Sequence, residues 1–130
     1  MNQKILVVED NTDAREMMKL FITTMGYRAI AAKNSYEAIT LAEAEGPQLI
    51  LMDMQLPDVD GIKTTALLKQ NSKTSHIPVV ACTVLMSATL EKKASKVGIS
   101  AFLIKPLSPQ TLRETIEEYT NRVPTREVQP

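Results

Sequence analysis

The sequence predicts an α/β fold in which a parallel sheet of five strands carries helices on both faces. Two observations lead to this prediction: short, continuous apolar runs recur along the chain, and amphipathic stretches with helix-start and helix-end signals lie between them. A strand that is buried on both faces has a continuous apolar run, whereas a strand with one wet face alternates. Regular strand–helix alternation produces a parallel sheet with right-handed crossovers. A chain of 130 residues has room for one such domain.

The predicted strands are four strong apolar runs and one weaker run. The strong runs are ILVV at residues 5–8, LILM at 49–52, VVAC at 79–82 and FLI at 102–104. The weaker run, residues 27–32, follows Gly26, and we expect it to be an outer strand.

The first helix is predicted to begin at Asn11 or Thr12, either of which can cap it, and to end at Gly26. Apolar residues at helical spacing form its expected buried face: Ala14, Met18, Phe21, Ile22 and Met25. The second helix starts with a pattern similar to a capping box, Asn34 followed by Glu37, and it stops at Gly46.

The last three helices are predicted over residues 61–70, 87–97 and from 109 onward. Gly98 closes the fourth helix, and Ser108 followed by Pro109 is a cap and first-turn pair for the fifth. Residues 122–130 contain two prolines and no apolar periodicity. We therefore expect the folded domain to span residues 1–121, with residues 122–130 as a short tail or the start of a linker.

Composition excludes several classes of protein. Lysine plus arginine and aspartate plus glutamate both count 15, so the chain lacks the basic excess of a general nucleic-acid binder. One cysteine and one histidine exclude an internal disulfide, a multi-cysteine metal cluster and a histidine-rich zinc site. The apolar runs are too short to span a membrane, and the N-terminus lacks the apolar core of a signal peptide. We expect a cytoplasmic protein without direct contact to nucleic acid or membrane.

Polar residues follow four of the predicted strands. Glu9 and Asp10 come after the first, Asp53 after the third, Thr83 after the fourth and Lys105 after the fifth. In parallel sheets the functional crevice lies at the carboxyl ends of the strands. If the first and third strands are neighbours, three carboxylates converge there and require a cation, for which their oxygens favour magnesium or manganese over zinc. Such a site suits phosphoryl transfer, and an aspartate in it can act as a nucleophile.

Four segments carry a resemblance to a known family. They are KILVVEDN at residues 4–11, LILMDMQLP at 49–57 with Gly61, IPVVACT at 77–83 and FLIKP at 102–106. Together they resemble the receiver domains of two-component response regulators, of the chemotaxis-type, single-domain kind, over about residues 3–121. The resemblance implies a flavodoxin-like receiver fold with strand order 2-1-3-4-5. The start at Met1 and the complete fifth helix favour a stand-alone receiver over a piece of a longer regulator.

The resemblance also implies how the strand-end residues divide the chemistry. Asp53 is the expected phosphoacceptor. Glu9, Asp10 and Asp53 are expected to hold Mg²⁺ (Mn²⁺ as an alternative), with the backbone carbonyl of Gln55 as a further ligand. Lys105 is expected to pair with the phosphoryl group or with the carboxylate of Asp53.

A second set of residues is implied to form the switch and to shape the site. Thr83 would move to bond a phosphoryl oxygen, and the rotamer of Phe102 would follow that move. The residues that shape the surrounding loops are Pro57, Gly61 and Pro106, the last of which is preceded by a cis peptide bond in the family. Val84 stands where the family usually has alanine or glycine. With Gln55 and Leu85, it is expected to tune access to Asp53 and the lifetime of the acyl phosphate.

The partners implied are a histidine kinase or a histidine phosphotransfer protein, and a target protein on the face of the fourth helix, fifth strand and fifth helix. The chain would be a monomer or a phosphorylation-dependent dimer, and a signalling switch rather than an enzyme.

Three other functions compete with this hypothesis. A phosphatase of the haloacid dehalogenase type needs a second aspartate two residues after the nucleophile, where this chain has Gln55. A flavodoxin-like cofactor binder needs phosphate-binding hydroxyls and amides in its first loop, where Glu9 and Asp10 would repel a phosphate. A receiver that binds partners without being phosphorylated would not need the complete set of reacting residues. Cys82 and His76 are expected to lie outside the chemistry, Cys82 as a buried core residue and His76 at the opposite end of the sheet.

Overall fold

A computed structural model describes residues 3–120 of the chain and shows five strands alternating with five helices. The strands are β1 (Lys4–Val8), β2 (Arg28–Ala32), β3 (Leu49–Asp53), β4 (Val79–Thr83) and β5 (Ala101–Ile104). The helices are α1 (Thr12–Thr24), α2 (Ser35–Glu45), α3 (Gly61–Gln70), α4 (Ala88–Val97) and α5 (Pro109–Thr120). Each strand begins and ends within one residue of its predicted bounds. The tail predicted over residues 122–130 lies outside the described residues.

The five strands form one parallel sheet in the order β2-β1-β3-β4-β5, which confirms the predicted fold class and strand order. The register pairs Val8 of β1 with Met52 of β3, and Asp53 of β3 with Cys82 of β4. The carboxyl ends of the three central strands therefore lie side by side at one edge of the sheet. That edge is where the polar residues of the sequence prediction follow their strands.

The helices pack on both faces of the sheet and form two separate apolar clusters. The cluster on one face contains buried residues of α2, α3 and α4: Ala38, Ala42, Leu68 and Ala94. The cluster on the other face contains buried residues of α1 and α5: Met18, Ile22, Leu112 and Ile116. Successive β1 residues point alternately into the two clusters, as the strand pleat requires. Since full burial of such a side chain stabilises the fold by about 1.5–3 kcal/mol, both faces of the central strands have to be apolar.

Polar side chains cap the helices at the predicted starts. Asn11 accepts from the backbone N–H of Ala14 at 2.8 Å, and Asn34 accepts from that of Glu37 at 2.8 Å. The carboxylate of Glu37 accepts from the backbone N–H of Lys33, one residue before the cap, so the second half of the predicted capping box is displaced by one residue. No helix within residues 3–120 combines the length and apolarity needed to cross a bilayer.

Candidate functional site

Three carboxylates converge at the carboxyl edge of the sheet. Oxygens of Glu9, Asp10 and Asp53 all lie within 4.8 Å of one another. Because β1 and β3 are hydrogen-bonded neighbours, the residues that follow them are brought to one place, as the sequence predicted. Glu9 is 3% exposed and Asp53 is 7% exposed, whereas Asp10 is exposed to solvent. The carboxylate cluster is thus buried where Glu9 and Asp53 lie and open to solvent at Asp10.

Lys105 brings a positive charge to the cluster from β5. Its Nζ lies 2.6 Å from Oε1 of Glu9 and 3.4 Å from Oδ2 of Asp53. The peptide bond between Lys105 and Pro106 is cis, as the family resemblance implied. The backbone N–H of Lys105 donates to the carbonyl of Thr83 at 2.8 Å, which ties the start of this connection to the end of β4.

Burial and the neighbouring charges shift the pKa values of Asp53 and Lys105. Burial raises the pKa of Asp53, and the charge of Glu9 raises it further, against the lowering effects of the Gln55 backbone N–H and of Lys105. Burial by itself lowers the pKa of Lys105, but the hydrogen bond to Glu9 and the charge of Asp53 outweigh it, so the pKa of Lys105 is raised. Lys105 therefore stays a cation at neutral pH, a single positive charge beside three acidic side chains.

The donor set of this cluster fits a hard divalent cation. All three side chains offer carboxylate oxygens, and the group contains neither histidine nor cysteine. Mg²⁺ and Mn²⁺ prefer such oxygen ligands, whereas zinc sites are built mainly from nitrogen and sulfur. Gln55, whose backbone carbonyl is the fourth predicted ligand, lies two residues after Asp53 in the loop between β3 and α3. Its backbone N–H donates to Oδ1 of Asp53 at 3.1 Å.

The two ends of the loop between β3 and α3 lie in contact with each other. The backbone N–H of Gly61 donates to the carbonyl of Met54 at 3.1 Å. A Cβ on Gly61 would lie 2.7 Å from the carbonyl oxygen of Asp53 and 2.9 Å from the Cα of Met54. Only glycine allows α3 to begin this close to the end of β3. Pro57 lies exposed in the same loop.

Asp58 anchors the middle of this loop, and the sequence reasoning missed it. Its Oδ1 accepts from the backbone N–H of Ser35 at 2.9 Å, and its Oδ2 accepts from that of Tyr36 at 3.1 Å. These N–H groups belong to the first turn of α2, which has no partners for them within the helix. They lower the pKa of Asp58, the Ser35 bond having the largest effect. The available signal was the aspartate after Pro57, which indicates only a polar turn.

Thr83 and Phe102 lie where the resemblance placed the switch. Thr83 is buried, and its hydroxyl donates to the carbonyl of Leu85 at 3.0 Å. Phe102 is half-buried and packs against the cluster on the α2, α3 and α4 side of the sheet. A move of the Thr83 hydroxyl toward Asp53 would require it to leave the Leu85 carbonyl.

A largely apolar groove adjoins the carboxylates, between α1 and the loop that follows β5. Its volume is about 560 Å³, and both Glu9 and Lys105 line it. The apolar lining residues include Met17, Phe21, Val84 and Leu107. Val84 is 56% exposed and Leu85 is 78% exposed, so the β4–α4 loop presents two large apolar side chains beside the site. Val84 stands at the wall of the groove, and its role in access to Asp53 stays a prediction.

Cys82 and His76 occupy the positions expected from the sequence, in the core and at the opposite end of the sheet. Cys82 is buried within β4, and burial raises the pKa of its thiol to about 12, so the thiol stays protonated and unreactive. His76 precedes β4, at the amino ends of the strands and away from the carboxylates.

Sequence comparison finds close agreement with one family. The model of the response regulator receiver domain matches residues 5–117. The polar-differentiation response regulator DivK of Brucella anthropi is 37% identical over 119 residues, which make up 92% of this chain and 97% of that protein.

Solved structures agree in fold. The chemotaxis protein CheY4 of Vibrio cholerae superimposes with a TM-score of 0.88 at 24% identity, covering 92% of this chain and 99% of that one. The receiver domain of the sensor histidine kinase PA1611 from Pseudomonas aeruginosa superimposes with a TM-score of 0.86 at 25% identity, covering 93% and 99%. In that structure a magnesium ion is coordinated in the active site cleft.

Proposed function

The chain belongs to the response regulator receiver family, and from this premise we propose that it is a phospho-accepting switch of two-component signalling. In this proposal Asp53 takes a phosphoryl group from the phosphohistidine of a histidine kinase or a histidine phosphotransfer protein. The observation that carries the proposal is the placement of Asp53, within 4.8 Å of Glu9 and Asp10 and 3.4 Å from the ammonium of Lys105.

The chemical step is an in-line displacement at phosphorus. A carboxylate oxygen of Asp53 forms the new O–P bond while the P–N bond to the donor histidine breaks, and the imidazole nitrogen keeps the electron pair of that bond. Lys105 then faces the phosphoryl oxygens and compensates their charge. The residues that would hold magnesium are Glu9, Asp10, Asp53 and the carbonyl of Gln55. A bound Mg²⁺ supplies further positive charge beside the transferred group.

The signal would leave the site through Thr83 and Phe102. The phosphoryl oxygens offer the Thr83 hydroxyl a stronger, charged acceptor than the Leu85 carbonyl that it now bonds at 3.0 Å. In this proposal Phe102, on the neighbouring strand β5, then turns further toward the core. We propose that the α4–β5–α5 face changes shape as a result and binds the target protein.

The apolar groove beside Glu9 and Lys105 is where we place the phosphodonor domain. A donor histidine has to come within bonding distance of Asp53, so its domain must cover the protein surface that adjoins the site. The groove does adjoin it, and Met17, 53% exposed on α1, supplies apolar surface that such a domain could cover.

The remaining assignments complete the proposal. The receiver domain spans residues 1–121, and residues 122–130 are a tail or linker. The protein acts in the cytoplasm as a monomer or a phosphorylation-dependent dimer. It assists its own phosphorylation and dephosphorylation but turns over no separate substrate.

The decisive test is phosphorylation by acetyl phosphate with Mg²⁺, followed by intact-protein mass spectrometry. We expect one phosphoryl adduct on the wild-type protein, no adduct on Asp53→Asn and loss of labelling when a chelator removes the metal. Glu16→Gln, which removes an exposed acid of α1 outside both the three-carboxylate cluster and the groove, is the matched control and should be labelled normally. A wild-type protein without an adduct would instead support the competing hypothesis of a receiver that binds partners without phosphorylation.

A further inference from the structure

The connection between β1 and α1 determines where two of the three clustered carboxylates stand. It consists of residues 9–11, and the N–H of Glu9 donates to the carbonyl of Ala32 in β2 at 3.0 Å. Asp10, by contrast, is exposed, and its carboxylate takes part in none of the hydrogen bonds or ion pairs within residues 3–120. The position of the Asp10 carboxylate therefore depends on what holds its backbone.

Arg15, in the first turns of α1, holds that backbone. Its Nη1 donates to the carbonyl of Glu9 at 2.9 Å and to the carbonyl of Asp10 at 3.3 Å. One guanidinium nitrogen thus binds two successive peptide carbonyls. The arginine itself is part of the helix that Asn11 caps, because its own N–H donates to the Asn11 carbonyl at 2.9 Å. The backbone of Glu9 and Asp10 is thereby hydrogen-bonded to the first turns of α1.

The two cations near the cluster bind different groups. Lys105 lies within ion-pair distance of the carboxylates of Glu9 and Asp53. Arg15 enters none of the ion pairs found within residues 3–120, and its contacts with the acidic pair are to main-chain carbonyls. Arg15 therefore occupies none of the carboxylate oxygens of Glu9 and Asp10.

We propose that Arg15 is a positioning residue for the divalent cation site: by binding the carbonyls of Glu9 and Asp10 it fixes the backbone that carries the Asp10 carboxylate beside Asp53. The Glu9 carboxylate is held in addition by Lys105 and by the N–H of Asn11. The inference rests on the proposed function, since it assumes that these carboxylates bind Mg²⁺. Groups that orient metal ligands without touching the metal commonly change metal affinity by about 10- to 100-fold.

The charge and the contacts of Arg15 act on metal affinity with opposite signs. A positive charge near the cluster repels Mg²⁺, so removing the charge alone would strengthen binding. Removing the two hydrogen bonds lets the β1–α1 connection adopt more conformations. Mg²⁺ binding then has to restrict those conformations, and the entropic cost weakens binding. The sign of the change in affinity therefore separates positioning from a simple charge effect.

The test is Mg²⁺ titration of the full chain by isothermal titration calorimetry, without any phosphodonor. We expect Arg15→Gln to weaken Mg²⁺ binding by about tenfold. Arg15→Lys, which keeps the charge but lacks the guanidinium, should be weakened by a smaller factor. Lys19→Gln is the matched control, because it removes a cation one turn further along α1 that pairs with Glu16 and not with the connection. Its affinity should equal that of the wild type or exceed it slightly.

A second readout separates positioning from damage to the fold. At saturating Mg²⁺ the rate of labelling by acetyl phosphate should return to the wild-type rate in Arg15→Gln, with only the half-saturating Mg²⁺ concentration raised. Equal or tighter Mg²⁺ binding by Arg15→Gln would overturn the inference while leaving the proposed function intact. If Arg15→Gln fails to fold, Arg15→Lys decides, and wild-type affinity in that variant overturns the inference. Absence of Mg²⁺ binding by the wild-type protein would overturn the proposed function as well.

Discussion

The ammonium of Lys105 lies closer to Glu9, at 2.6 Å, than to the phosphoacceptor candidate Asp53, at 3.4 Å. The resemblance led us to expect pairing with Asp53 or with a phosphoryl group, and the Glu9 contact was not foreseen. Since Glu9 is the more deeply buried of the two acids, it has the greater need of a nearby cation. Lys105 therefore stabilises the folded protein besides facing the proposed chemistry.

Lys105→Met is expected to lower the free energy of unfolding by about 2 kcal/mol in metal-free buffer, because it leaves buried Glu9 without its cation. Mg²⁺ should recover more of the stability in this variant than in the wild type, since the ion meets an uncompensated cluster. Urea unfolding followed by circular dichroism, with and without Mg²⁺, measures both effects. Lys92→Met, on the exposed surface of α4, is the control and should change stability little. A Mg²⁺ effect equal in both variants would contradict the prediction.

Asp53→Asn is expected to stabilise the metal-free protein by about 1 kcal/mol, because it removes a buried negative charge. The oxygen of the asparagine can still accept from the Gln55 N–H. The raised pKa of Asp53 sets the pH dependence. The penalty for the ionised wild-type side chain is complete above the folded-state pKa and disappears as the pH falls toward the ordinary value of 3.8. In urea titrations with a chelator present, the free energies of unfolding of the two proteins should converge at low pH. A difference that stays constant at all pH values would contradict the raised pKa of Asp53.

Asp58→Asn is expected to lower the melting temperature at neutral pH, because the carboxylate accepts from two N–H groups at the start of α2. The folded-state pKa of Asp58 is lowered, so its contribution is complete above the ordinary value of 3.8 and is lost as the pH falls through the folded-state value. The melting curves of variant and wild type should therefore coincide in strong acid. Asp13→Asn, in the first turn of α1, tests whether any helix-start acid has the same effect. An equal fall in melting temperature in Asp13→Asn would show that the loss does not depend on the contacts of Asp58 with α2.

Gly61→Ala is expected to destabilise the fold by about 1–3 kcal/mol, the usual cost of overpacking. Its Cβ would lie too close to the backbone of Asp53 and Met54, so the strand end that carries the phosphoacceptor candidate has to shift. Labelling by acetyl phosphate should slow in the same variant. Gly46→Ala is the comparison, because its Cβ meets no atom within 4 Å and its cost comes only from the positive φ of 57°. That variant should lose stability while labelling at the normal rate.

Val84→Ala is expected to speed both labelling by acetyl phosphate and loss of the phosphoryl group, by a few-fold, since it opens the groove wall beside Lys105. Stability should change little because the side chain is already more than half exposed. Time courses of the adduct by mass spectrometry measure both rates. Leu67→Ala is the control, because it removes an exposed apolar side chain of α3 that does not line the groove. Equal acceleration in Leu67→Ala would show that the change in rate does not come from access through the groove.

The sequence predicted the elements well because local signals determine them. Asn34 and Gly46 mark the ends of α2 by their own chemistry, and the apolar run of β3 follows from burial on both sides. The convergence of Glu9 with Asp53 was also predictable, because the strand-end rule needs only the order of the strands. The contacts of Arg15 and Asp58 were not, since both side chains bind backbone groups, which every residue possesses. Nothing in the sequence says that Asp58 meets Ser35, 23 residues earlier, because the packing of α2 beside the β3–α3 loop decides it.

The division of the core into two clusters places the groove assigned to the phosphodonor and the proposed switch residue Phe102 on opposite sides of the sheet. The groove assigned to the phosphodonor includes Met18 and Leu107, which belong with the α1 and α5 cluster, whereas Phe102 packs on the opposite side with α4. The α4–β5–α5 face proposed for the target extends over both sides of the sheet, because α5 packs in the same cluster as α1. The surfaces for donor and target are consequently linked through α5, so substitutions in that helix are constrained by both partners during evolution, whereas α4 packs in the other cluster.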